Sequence, residues 1–143
     1  MDSWLSIYLV APLLGWFFAH TAKVIVNMVK SDNKRMHLST FFKSGGMPSA
    51  HSAVTVATLT VIGAKEGIES AIFGLATVVT VIVIYDALNV RRSVGEQGDL
   101  LRQLRDKLKI NKSFFSARGH TATEVSAGII LGLAVGLILL QIL

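Results

Sequence analysis

Four long apolar stretches, separated by short connections that carry almost all of the charge, constrain this sequence more than any other feature. A helix crosses the hydrocarbon core of a bilayer with about 20 apolar residues, within a range of about 17–25. Stretches of that size run over residues 4–29, 48–64, 68–90 and 122–143. The first is interrupted only by His20, Lys23 and Asn27, and the last carries one charge, Glu124, in its first turn. No strand-like alternation competes with these runs. The expected architecture is an all-α integral membrane protein, a bundle of four transmembrane helices forming one domain over residues 1–143. Asp2 stands where a leader peptide would be basic, and the apolar run after it is too long for one, so no cleavable signal is expected.

Composition supports the same class. Hydrophobic residues make up 52% of the chain and charged ones 16%, against roughly 25% charged in ordinary soluble domains. The absence of cysteine removes thiol chemistry, disulfides and thiolate metal ligands. A net charge of +5 fits nucleic acid or a membrane, and its placement decides between them. Twelve of the 14 basic residues fall in two connections. Lys30, Lys34, Arg35 and Lys43 lie between spans one and two; Arg91, Arg92, Arg102, Arg105, Lys107, Lys109, Lys112 and Arg118 lie between spans three and four. No nucleic-acid partner is expected. The positive-inside rule instead puts both basic loops in the cytoplasm and both termini outside, in a bacterial-type inner or plasma membrane.

Two further patterns concern packing. Leu100, Leu101, Leu104 and Leu108 recur at helical spacing opposite Arg102, Arg105 and Lys109. They describe an amphipathic helix lying in the interface near anionic headgroups, or one packed on the end of the bundle. In the last span Gly128, Gly132 and Gly136 repeat every four residues, which permits close helix approach. The repeat serves an intrachain contact or a homodimer, and the spacing does not separate the two.

The polar residues that could carry chemistry fall into four groups. His20, Lys23, Asn27 and Lys30 share one face of span one, either as lysines snorkelling to the headgroups or as a wet functional face. Ser44-Gly45-Gly46-Met47-Pro48-Ser49-Ala50-His51-Ser52 is a flexible loop entering a helix. The backbone N–H groups at such a start favour an anion and would set it beside His51; a plain capped helix with an interfacial histidine is the simpler account. Arg118-Gly119-His120-Thr121-Ala122-Thr123-Glu124 contains a capping box, Thr121 with Glu124, and also places Glu124 four residues after His120, in reach of its ring. At the end of span three Asp86 lies at the apolar boundary, with Arg91 and Arg92 available to pair with it, to hold a phosphate, or to serve as the positive flank. The up-and-down order of the spans brings all four groups to one membrane face. Two histidines for nucleophile and general acid, with cations for an anionic group, are equipment for phosphoryl transfer without a metal or other cofactor.

These residues resemble a known family. Gly45-Gly46-Met47-Pro48-Ser49-Ala50-His51-Ser52-Ala53, Tyr85-Asp86-Ala87 with Val90-Arg91-Arg92, and Gly119-His120-Thr121 are similar to the divergent branch of the type 2 phosphatidic acid phosphatases, within the superfamily shared with vanadium haloperoxidases. The superfamily's Lys-x6-Arg-Pro motif has its spacing in Lys23 and Lys30, with Lys in place of Arg and Ser31 in place of Pro. Its Pro-Ser-Gly-His motif resembles Pro48-Ser49-Ala50-His51, implying that His51 protonates the leaving alkoxide. Its Ser-Arg-x5-His-x3-Asp motif aligns His with His120 and Asp with Glu124, but sets Phe114 where Arg belongs, so Arg91, Arg92 or Arg118 must supply that cation.

The resemblance and the residues together imply a membrane lipid phosphatase acting on a phosphate monoester such as phosphatidylglycerophosphate or phosphatidate at the cytoplasmic face. His120 is the expected nucleophile, oriented by Glu124, and His51 the acid. Lys23, Lys30, Arg91, Arg92 and the backbone at Ser49 are the expected phosphate ligands, with Asp86 a pairing residue. Membrane lipids and the lipid substrate are the expected partners. The competing class is a non-catalytic membrane protein that binds an anion, a lipid or a divalent metal through the same residues.

Overall fold

Small residues set the architecture. Ala11, Ala19, Ala53 and Ala57 are fully buried, and the helices that carry them approach closely enough for backbone to meet backbone. The computed structural model describes residues 6–30, 46–111 and 119–143. They form α1 (Ile7–Lys30), α2 (Ala50–Glu66), α3 (Ala71–Tyr85), a π-helical turn (Asp86–Val90), α4 (Arg91–Lys107) and α5 (Ala122–Ile142). There is no strand among the described residues.

Helix α2 is the centre, packed against α1, α3 and α5. Its starts and stops are local chemistry. Ser49 caps its first turn, and Gly67, at φ +86°, ends it in a conformation only glycine adopts cheaply. Three residues later the Ser70 hydroxyl accepts the Phe73 N–H at 3.2 Å and starts α3. The Phe73 ring lies over Gly63 of α2, and the buried Thr80 hydroxyl donates to the Thr55 carbonyl at 3.4 Å, joining the same two helices. At the far end of α1 and α2 the Tyr8 phenol donates to the Glu66 carboxylate.

Three helices are long and apolar enough to cross a membrane: Ile7–Val29, the continuous Ala71–Lys107 and Ala122–Ile142. Their outward faces carry large exposed apolar side chains, among them Leu13, Phe17, Leu75, Ile82, Ile130 and Ile138, which lipid covers at no cost and water would not. The stretch expected as span two is the 17-residue α2, about 25 Å long at 1.5 Å per residue, against a core of about 30 Å. Its inner face is buried by the three helices around it.

Two expectations change. The amphipathic segment is not separate from span three: α4 continues α3 through the π-turn in one run of 37 helical residues, with no proline or left-handed glycine to interrupt it. The glycine stripe is not free for a homodimer. A Cβ on Gly128 would fall on the Ser49 carbonyl oxygen, one on Gly132 would lie 2.5 Å from the Ala53 oxygen, and one on Gly136 2.7 Å from the Thr60 Cβ. The stripe is the seat of α2 within the same chain.

This contact predicts an asymmetry between glycines. Gly128→Ala should cost about 1–3 kcal/mol by overpacking the α2–α5 seam. Gly74→Ala, with nothing within 4 Å of the added methyl, should be neutral or gain up to about 1 kcal/mol of helix propensity. Reversible unfolding in mixed micelles measures both.

Candidate active site

The site is assembled where α2 and α5 begin and where α1 and α3 end. At the start of α2, Ser49 is fully buried. Its hydroxyl accepts the Ser52 hydroxyl at 3.0 Å and the Ser52 N–H at 3.5 Å, and its own N–H donates to the Glu124 carbonyl at 2.9 Å. The Ser49 N–H, expected near a phosphate, is thus taken up within the chain and locks the two helix starts together. His51, two residues on, is exposed at the mouth of the junction.

At the start of α5 one carboxylate has two tasks. Glu124 Oε2 accepts the Thr121 N–H at 3.1 Å and lies 3.1 Å from His120 Nδ1, while the Thr121 hydroxyl accepts the Glu124 N–H at 3.3 Å. The capping box and the histidine contact coexist. His120 is 7% exposed, and a proton on Nδ1 facing the carboxylate leaves Nε2 with its lone pair.

The third wall is the π-turn, which sequence pattern does not announce. In an α-helix the Arg91 N–H would bond to the Ala87 carbonyl, but here it reaches back five residues to Asp86. The Ala87 carbonyl accepts the His120 N–H instead, at 3.3 Å. Gly119 makes this approach feasible, since a Cβ there would overlap the backbone of Arg91 and Arg92.

The cations sort by the same geometry. Lys23 is only 5% exposed, which rules out snorkelling to the headgroups, and its stem runs past Gly46, where a Cβ would sit 3.5 Å from Lys23 Cε. Arg91 pairs with Asp86 at 2.5 Å and, with Lys23, acts electrostatically on both histidines. Arg92 is turned away to Glu96, 3.1 Å distant, with 61% of its side chain exposed. His20 is tied to its own helix, its Nδ1 3.0 Å from the Trp16 carbonyl and its ring stacked on Trp16 at 4.4 Å. Lys30 ends α1, and its side chain lies outside the described residues, as do Ser31, Ser44, Gly45, Phe114 and Arg118. Among the described residues no three histidine or acidic side chains are grouped to hold a metal ion.

A junction of two histidines, a carboxylate, a buried lysine and an exposed arginine can now be set beside known proteins. A family profile described as "Divergent PAP2 family" matches residues 5–135. The chain belongs to this family. It is also 33% identical over 96 residues to a protein of Bacillus subtilis (strain 168) named "Uncharacterized membrane protein YuiD", a match covering 67% of the chain and 60% of that relative's length. No solved structure matches it significantly. Within this fold the arginine that acts electrostatically on His120 is Arg91, at the head of α4.

In this divergent PAP2 protein burial holds the His120 pKa below its ordinary 6.5; the Glu124 carboxylate pulls the other way, while Lys23 and Arg91 add to the lowering. The ring is therefore neutral at physiological pH. Because the folded chain resists its protonation, its contribution to stability is intact above pH 6.5 and is lost as pH falls through the folded value. Histidine NMR in micelles should show His120 titrating below 6.5, and Glu124→Gln should move it lower still by removing a contact that favours the imidazolium. A rise in that variant would contradict the geometry.

Proposed function

We propose that this membrane protein hydrolyses a lipid phosphate monoester, phosphatidylglycerophosphate or a phosphatidate-like lipid, through a phosphohistidine intermediate. The observation that carries the reading is the contact of His120 Nδ1 with Glu124 at 3.1 Å, with Lys23 and Arg91 close enough to act electrostatically on the ring. It supplies a neutral, oriented imidazole beside two fixed positive charges.

In the proposed reaction His120 Nε2 attacks phosphorus as the bond to the lipid oxygen breaks. The departing alkoxide takes a proton from His51 and leaves as the lipid alcohol. His51, now neutral, accepts a proton from water, whose oxygen attacks phosphorus and releases inorganic phosphate and free His120. Lys23 and Arg91 stabilise the charge that builds on the phosphoryl oxygens, with Lys30 a further candidate from the end of α1. Arg91 is preferred over Arg92 for this task, since Arg91 acts electrostatically on both histidines while Arg92 is turned away to Glu96.

The clustering of basic residues in the connections after spans one and three supports a cytoplasmic site, with four spans and both termini outside. A lipid substrate follows from the depth of Lys23, seven residues inside the end of a helix that is apolar enough to span.

Phosphate release from lipid phosphates in mixed micelles tests the reading. His120→Ala and His51→Ala should each lower turnover by about 10²–10⁴-fold, the usual weight of a positioned acid or base. Arg91→Gln should be more damaging than Arg92→Gln. Wild-type rates in both histidine variants would leave a non-catalytic anion-binding protein as the answer.

A further inference from the structure

Helix α4 plays no part in the proposed reaction beyond its first residue, yet its surface is highly organised. Leu100, Leu101, Leu104 and Leu108 are 60%, 54%, 53% and 68% exposed, more than half of each side chain facing no other part of the protein. At 3.6 residues per turn they form one arc together with Val94, itself 45% exposed. The charges are not scattered around the rest. Arg105 borders the arc on one side and Lys107, beside Glu96, on the other, while Asp99 and Asp106 lie on the opposite face with Arg102 next to them. Arg102 pairs with Asp99 at 2.7 Å and Arg105 with Asp106 at 2.7 Å, both on the polar side of the helix.

We propose that this face of α4 docks on the anionic phospholipid surface of the membrane in which the protein sits. An apolar arc flanked by Arg105 and Lys107, with Asp99 and Asp106 on the far side and basic residues in excess over acidic ones along the helix, complements an acyl boundary beneath negative headgroups. A second copy fits it less well. Two copies share one orientation in a membrane, so their arcs would meet in parallel, and the basic border of each would face the basic border of the other. The π-turn supplies the remaining requirement. It lies at the root of α4, and π-turns are sites at which long helices bend, so α4 can tip from the axis of α3 onto the leaflet. The inference does not depend on the phosphatase reading.

The chain has no cysteine, so single-cysteine labelling of the full-length protein is clean. Leu104→Cys on the arc and Gln103→Cys on the opposite side would each carry an environment-sensitive fluorophore. The protein would be placed in nanodiscs of phosphatidylcholine alone or of phosphatidylcholine mixed with phosphatidylglycerol. The Leu104→Cys emission should shift to the blue in the anionic discs relative to the neutral ones, with Gln103→Cys unshifted in both. Combining Leu104→Cys with R102Q, R105Q and K109Q should abolish the shift. Circular dichroism of each variant before labelling separates lost docking from lost fold. A Leu104→Cys spectrum that stays water-like in both lipids, or is equally blue in both, overturns the proposal. So does a spin label at the same position that reports a second label nearby, which would assign the face to another copy of the chain.

Discussion

The whole site hangs on how near α5 comes to the start of α2. Because Gly128 has no side chain, the Ser49 peptide can lie against α5, and its N–H reaches the Glu124 carbonyl at 2.9 Å. That bond fixes Glu124 through its backbone, and the capping box fixes it through its side chain. Only a carboxylate held at both ends can present one oxygen to His120 in a constant direction. In a medium with no water to repair a lost partner, such satisfied contacts carry more than they would on a soluble surface. The small-residue seam is thus both the packing device of the bundle and the reason its polar end is ordered.

A second element closes the site from the other side by departing from regular geometry. One extra residue in the turn Asp86–Val90 redirects the Arg91 N–H and leaves the Ala87 carbonyl to hold the backbone of His120. The same turn puts Asp86 and Arg91 five residues apart yet in contact. Irregular backbone inside a membrane protein survives where other groups take up the displaced hydrogen bonds, and here the 119–120 segment does so.

Much of this was legible from residue pattern alone, and the parts that were not have physical reasons. Apolar run length located the long helices, and the capping box foretold the contact of His120 with Glu124, because a carboxylate three residues into a helix reaches back over the residues that precede it. Thr121 and Glu124 announced the cap for the same local reason. The fate of Ser49 was not readable: serine before a helix looks the same whether its N–H faces a ligand or a carbonyl 75 residues away. The glycine stripe signalled close approach without naming the partner, since Gly128, Gly132 and Gly136 would admit any helix. The π-turn had no signal in Asp86-Ala87-Leu88-Asn89-Val90, whose composition suits an α-helix equally well, and so the unbroken passage from α3 into α4 was also hidden. Choosing between Arg91 and Arg92 required the phase that this extra residue imposes.

The continuity of that helix has a mechanical side. Residues 71–107 form one continuous helix with a π-turn part-way along it, and the amide of His120 is fastened at that turn. A thinner or thicker bilayer changes the tilt of such a helix. Any change in tilt must pass through Ala87 and Arg91 before it reaches the free end. The backbone of His120 is thus fastened to a membrane-length helix at the one turn where that helix's own hydrogen bonding is displaced.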